Sequence, residues 1–287
     1  MTNFRHAYGY ACIKSILTIF LVLASAGIYS AEQASIEKHL ERPFRPLQAI
    51  EGAAVEKDKI YGGVLYEPSN VNQGNRKGHW NELYCTAGYI HNKFNIYTLL
   101  SQQERFGVKD YTTALGMYMT IDKDQYVHIE AGWGWDLSFL YRFQGILEYN
   151  HRLYKNLFWQ LGYTYRSYNP DDTHIISPSF IYYFGDNYIS ASYGVSCIES
   201  RGTSQFGTVK GDFALTDVVH FYIGTALGER LYDIYELPAS QERGYIIFGG
   251  FSIKVYKEIK FQIGGSYGTE KPSFIKRSID IGVTAKF

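Results

Sequence analysis

The sequence predicts an all-β chain closed into an antiparallel transmembrane β-barrel of about 14 strands, and three observations carry that prediction. The first is apolar/polar alternation of period two, which starts near Ile60 and recurs to the last residue, Phe287. Successive side chains of a strand point to opposite faces, so each such run has one apolar and one polar face. The second is the closing segment. Ile279, Ile281, Val283, Ala285 and Phe287 alternate there with Ser278, Asp280, Gly282, Thr284 and Lys286, and the run stops on an aromatic residue. The third is composition: 27 Tyr and 18 Phe against 3 Met suit a wall that needs amphipathic rings at two membrane–water boundaries. A mean hydropathy of −0.22 does not oppose this. In a barrel wall the polar partners of each alternating pair cancel the apolar ones. Only closure into a cylinder pairs every backbone N–H and C=O of a sheet in lipid.

The elements follow in order. Residues 1–31 read as a signal peptide. Arg5 and Lys14 supply positive charge, Ile16 to Ala24 form an apolar core too short for a transmembrane helix, and no acidic residue precedes Glu32. Ala24-Ser25-Ala26 and Ser30-Ala31 are alternative cleavage points. Residues 32–58 are charged, carry Pro43 and Pro46, and do not alternate; they read as a periplasmic lead-in with a short helix through Ile36–Leu40. Residues 59–287 read as the outer-membrane β-barrel. Its apolar registers include Leu83-Cys85-Ala87-Tyr89, Leu115-Met117-Met119-Ile121, Val127-Ile129-Ala131-Trp133, Trp159-Leu161-Tyr163-Tyr165 and Ile189-Ala191-Tyr193-Val195. No sustained 3.6-residue period occurs, so almost no helix is expected in the body.

Tight polar turns are expected at His91–Lys93, Asp122–Asp124, Tyr154–Asn156, Gly185–Asn187, Leu215–Asp217 and Tyr256–Glu258. Looser loops are expected at Asn70–His79, Gln103–Lys109, Tyr168–His174, Glu199–Gln205, Gly228–Glu242 and Gly268–Lys276. Short periplasmic turns and longer outer loops are the barrel pattern. The runs number about 14, each of about ten residues, the length a tilted membrane strand needs. Twelve strands is the alternative if the first pair or the Trp133–Phe139 region is not strand. Inward glycines are expected to make room for bulky neighbours such as Tyr118, Tyr183 or Tyr222.

The polar register defines the lumen. It contains Glu82, His128, Glu130, Arg142, Glu148, Arg152, Arg166, Lys210, Asp212, Lys254 and Lys260, followed by Asp280 and Lys286. A charge on the lipid face costs about 2–4 kcal/mol near the midplane, so these groups belong inside. Two readings stay open: a structural network that ties the interior together, or a path or binding surface for a polar solute. Tyr118, Tyr183, Tyr188 and Tyr222 would offer faces for a sugar. Phe287 is assigned to membrane insertion and barrel closure.

Other chemistry finds less support. Gly264-Gly265-Ser266-Tyr267-Gly268 is a literal G-x-S-x-G, but a nucleophile elbow needs a strand, a sharp turn and a helix, and Ser266 sits within an alternating run. A lipid-facing hydrolase would need a His in the apolar register with a Ser near it, and His151 is the best candidate. His128 and Glu130 share a strand face without the further ligands a metal needs. Cys85 and Cys197, left once Cys12 is assigned to the signal, make no disulfide framework or zinc site. No metal or cofactor is called for. The formal net charge of +0 gives no support to nucleic-acid binding.

One stretch, His174 to Val195, runs HIISPSFIYYFGDNYISASYGV. Together with Gly228-Glu229-Arg230-Leu231-Tyr232 and the closing strand Arg277–Phe287, it resembles the YaiO family of outer-membrane β-barrel proteins. Gln125–Tyr141, with His128-Ile129-Glu130-Ala131, and Asn150–Ser167 look similar too, so the resemblance spans roughly Tyr111 to Phe287. It implies location in the outer membrane of a Gram-negative bacterium and, because the family is sometimes found near glycosyltransferases, a link to surface polysaccharide. It carries no catalytic motif. The expected partners are outer-membrane lipid and lipopolysaccharide, the barrel-assembly machinery and a polysaccharide. The expected function is non-catalytic passage or docking of a polysaccharide or other polar solute. The alternatives are a lipid- or lipopolysaccharide-modifying enzyme and a structural or adhesive barrel working through Gly228–Glu242.

Overall fold

A computed structural model describes residues 58–169, 171–198, 202–229, 243–270 and 273–287. The signal, the lead-in helix and most of the loop 228–242 lie outside the described residues. Fourteen strands form one sheet: β1 Lys59–Gln73, β2 Arg76–His91, β3 Phe94–Arg105, β4 Val108–Asp122, β5 Gln125–Trp135, β6 Phe143–Tyr154, β7 Leu157–Ser167, β8 Asp172–Phe184, β9 Asn187–Ile198, β10 Gly202–Ala214, β11 Val219–Glu229, β12 Arg243–Tyr256, β13 Ile259–Glu270 and β14 Phe274–Lys286. Each pairs antiparallel with its sequence neighbours, and β14 pairs with β1, which closes the barrel. The alternative of 12 strands is therefore set aside. No helix occurs among the described residues.

Closure rests on the closing segment. Val283 pairs with Val64 and Ile281 with Tyr66. The last residue completes the seam: Phe287 N–H donates to Ile60 O at 2.7 Å and Ile60 N–H to Phe287 O at 3.2 Å. Phe287 itself is 81% exposed, as an aromatic ring at a membrane boundary would be. Outward positions of the wall carry exposed Ile60, Val64, Leu100, Leu115, Ile129, Leu147, Phe180, Ile189, Ile223, Ile247, Ile263 and Ile279. In water that surface would be a large liability; against acyl chains it is the expected face.

All six tight turns fall where expected, at the end of the barrel that holds the entry to β1 and the exit from β14. Several of the opposite connections are shorter than expected. Asn70–His79 is mostly strand, because β1 and β2 run on to a two-residue turn at Gly74-Asn75. Gln103–Lys109 reduces to a turn at Phe106-Gly107, whose φ angles of 52° and 87° lie in the left-handed region. Strands accordingly run from 11 to 16 residues. The outward residues Asn70, Asn72, Lys77 and His79 are polar because the strands rise past the apolar band, and their polarity made strand look like loop.

Inward glycines act as foreseen, mostly under other rings. Gly116 pairs directly with Tyr97 and Gly194 with Phe206. A β-carbon at either glycine would overlap the ring of its partner. Tyr222, which was foreseen in this role, lies over Gly264 in the same way.

Candidate functional site

The strand parity puts Glu82, His128, Glu130, Glu148, Arg152, Arg166, Lys210, Asp212, Lys260, Asp280 and Lys286 on inward positions. Two residues depart. Arg142 precedes β6 in the irregular stretch 136–142 and is exposed. The alternation does not continue through it because Asp110 captures the chain there. The Asp110 carboxylate, 0% exposed, accepts N–H groups of Ser138, Phe139 and Leu140 at 2.7–3.0 Å. This tether breaks the strand and tucks Leu140 and Tyr141 into the interior, each 5% exposed. Lys254 keeps inward parity but is exposed at the end of β12, 3.9 Å from Glu258 in the adjacent turn.

The inward groups form separate networks. At the seam, Lys276 Nζ of β14 lies 2.6 Å from Glu82 Oε1 of β2 and 3.2 Å from Glu67 Oε1 of β1. All three side chains are at most 7% exposed. The Tyr84 hydroxyl donates to the other Glu82 oxygen at 2.7 Å. On β3 to β7, the Tyr97 hydroxyl donates to Glu130 at 2.6 Å and lies 2.7 Å from His128 Nε2. His128 Nδ1 is 2.8 Å from Glu148, and Tyr118 stacks on the imidazole at 4.1 Å. Gln144 donates to Glu130 and accepts from Arg166 Nε at 2.7 Å. Further round, Asp280 accepts from Tyr222 and Gln262 at 2.9 and 3.0 Å, and Asp212 meets His220 at 3.0 Å.

These networks sort by height. Toward the loop end, an apolar cluster of Val71, Trp80, Ile175, Phe206, Ile246, Phe248 and Phe274 gathers residues from six strands, with Phe106 packed against it. Trp80 lies 5.5 Å from Phe274 and 6.1 Å from Phe106, and Arg105 stacks on Trp80 and Phe139 at 4.5 Å each. The carboxylates Glu67, Glu82, Asp110 and Glu270 lie in this half and are buried. Toward the strand ends near the termini, inward Lys59, Arg152, Lys210, Lys260 and Lys286 are only half-buried. Arg152 meets Asp124 at 3.3 Å, and the inward rings Tyr183 and Tyr188 stand 6.0 Å apart.

Glu67 and Lys276 escaped the sequence-based lumen. Their parity is legible, since Lys276 is in phase with Ser278 and Asp280, but the neighbouring stretches Asn70–His79 and Gly268–Lys276 read as loops.

The catalytic candidates gain nothing. Ser266 lies within β13 and shares a hydrogen bond with Ser278 at 2.6 Å. His151 is outward and stacks on Tyr149, and its buried Nδ1 has no hydrogen-bond partner, so no carboxylate orients it. Among the described residues no group of three or more His, Cys, Asp or Glu is placed to hold a metal.

A family model described as the YaiO membrane beta barrel domain matches residues 63–217. The match thus starts earlier than the resemblance seen in the sequence and stops before its two last stretches. No curated protein matches the chain. Solved structures similar to it include the CymD monoaromatic hydrocarbon channel, at TM-score 0.59 and 8% identity, covering 79% of this chain and 88% of that one. Another is the Acinetobacter baumannii outer membrane protein Omp33, at TM-score 0.50 and 10% identity, covering 80% and 99%. A bacterial polysaccharide outer membrane secretin gives TM-score 0.50 at 8% identity, covering 79% and 98%. At such identities the likeness is one of fold.

Proposed function

The chain belongs to the YaiO membrane β-barrel family, an outer-membrane barrel with the fold of porins and channels, and from that premise we propose that it passes or docks a polysaccharide or other polar solute without catalysis. Its place is the outer membrane of a Gram-negative bacterium.

The observation that carries the proposal is the sorting of the lumen by height. In the half nearer the termini, Lys59, Lys210, Lys260 and Lys286 are half-buried and Tyr183 and Tyr188 line the wall, while Tyr61, Ile90 and Tyr97 belong to a second buried cluster on the β1–β4 side. Aromatic faces with polar groups beside them suit a sugar chain, whose rings stack and whose hydroxyls hydrogen-bond. The loop half is buried and aromatic, with Trp80, Phe206, Phe248 and Phe274 in one cluster across it. A solute is received in the first half and held by the second until the aromatic cluster parts.

Planar-bilayer recording tests this. Wild-type protein is expected to conduct weakly, and the double variant Trp80→Ala/Phe274→Ala to conduct severalfold more, with long oligosaccharides reducing that current from the terminus side. A double variant that folds but conducts like the wild type overturns the proposal, as does a current indifferent to oligosaccharide.

A further inference from the structure

The outer wall holds a feature that the lumen does not use. Five adjacent strands, β12, β13, β14, β1 and β2, carry no carboxylate at any outward position. Over most of their height these positions are apolar or aromatic. At the loop end they carry basic side chains, with Lys77 and His79 on β2, Arg277 on β14 and Arg243 on β12, all exposed.

Register aligns the group. Arg277 pairs with Asn70, and Asn70 with His79, so three outward side chains form one row across the seam. Asn72 and Lys77 pair one step nearer the loops. Neighbouring strands lie about 4.8 Å apart, which puts the backbones of Arg277 and His79 about 10 Å apart. Both side chains can then converge on a single anion.

Two outward rings adjoin the row: Tyr267 pairs directly with Arg277, and Tyr66 stands two outward positions below Asn70. The Tyr66 hydroxyl donates to Asn81 at 3.2 Å, and the Arg277 guanidinium lies 5.8 Å from the Tyr267 ring. Tyrosines at the upper edge of an apolar band mark the level of the lipid headgroups, and cations there meet phosphate. The remaining rim differs: Glu104, Asp172 and Glu229 stand outward at the loop ends of β3, β8 and β11.

We propose that this seam patch docks the phosphate groups of lipopolysaccharide in the outer leaflet. Charge complementarity and continuity with the lipid-facing wall argue for that occupant. Its acyl chains lie along Val64, Ile279 and Ile281, its phosphates meet Arg277, His79 and Lys77, and Asn70 and Asn72 face its sugar hydroxyls.

The test uses protein refolded free of lipopolysaccharide in detergent, titrated with bisphosphorylated lipid A and with the same lipid dephosphorylated. Wild type is expected to bind the phosphorylated form at least tenfold more tightly. The folded triple variant Lys77→Gln/His79→Gln/Arg277→Gln should lose that preference, and Lys109→Gln, an outward cation on β4 beside Glu104, should keep it. Should the triple variant not fold, Arg277→Gln alone must lower the preference severalfold. Equal binding of the two lipids by the wild type overturns the proposal. So does a neutralised variant, folded by heat-dependent electrophoretic mobility, that keeps the full preference.

Discussion

The two halves of the lumen are built from the same alternating strands and differ in how they hold their charges. In the loop half the carboxylates are buried, Glu67 and Glu82 share Lys276, and Trp80 and Phe274 pack beside them. In the half nearer the termini, Lys59, Lys210, Lys260 and Lys286 sit half-buried on the same inward parity. Parity puts both sets inside, but their energetics diverge with burial. A charge pair out of water must be complete, because either partner left alone carries its desolvation cost unrelieved. A charge that water still reaches contributes little to stability and acts instead through the field it sets in the bore. The loop half therefore holds the structure, and the other half is the one proposed to meet the solute.

The widest separation between the halves is expected at the seam. Lys276→Met leaves Glu67 and Glu82 buried with no ammonium between them, at a cost of about 3–5 kcal/mol. Lys260→Met in the other half should cost under about 1 kcal/mol, as a change at a wetter site does. Urea unfolding in lipid vesicles measures both. Adding Glu67→Gln and Glu82→Gln to Lys276→Met should recover most of the loss, since it removes the stranded charges. Equal costs for Lys276→Met and Lys260→Met would abolish the distinction between the halves.

Packing gives a second, smaller separation. Gly194 lies beneath Phe206, a member of the sealed cluster, and a side chain there must displace the ring. Gly194→Val is expected to destabilise by about 1–3 kcal/mol, the usual cost of overpacking. Gly145 faces outward and its β-carbon would make ordinary contact with Phe143 at 3.5 Å, so Gly145→Val should change little. Combining Gly194→Val with Phe206→Leu in the unfolding assay should relieve the clash. If it does not, the ring is not what the glycine accommodates.

Much of this was legible in the chain, and the failures share a cause. Period two gave fold, parity and all six tight turns, because each inward or outward choice in lipid is enforced by a large penalty. It placed His128, Glu130, Glu148 and Arg166 in the interior but could not tell that Tyr97 and Gln144 would join them into one network. Those contacts depend on which strands become neighbours at which height. Arg142 was misjudged because Asp110, about thirty residues earlier, holds the backbone N–H groups of 138–140 away from strand geometry. Glu67 and Lys276 were missed where the wall rises out of the apolar band. Outward residues there turn polar, and the contrast between faces that marks a strand fades although the strand continues.

The smallest expected effect is electrical, and it separates bore from wall. In the Trp80→Ala/Phe274→Ala background, which opens the sealed half, Lys260→Glu changes the charge of the wetter half by two units. Fixed charge inside a narrow low-dielectric channel sets the local counter-ion concentration. The reversal potential under a salt gradient should therefore shift toward cation selectivity, while stability moves by less than about 1 kcal/mol. Lys77→Glu makes the same charge change on the outer wall, where lipid and salt screen it from the bore. In phosphate-free neutral lipid it should leave the reversal potential unchanged. A shift from Lys77→Glu as large as that from Lys260→Glu would mean that the current does not run past Lys260, and the half-buried lysines would then be no part of the solute path.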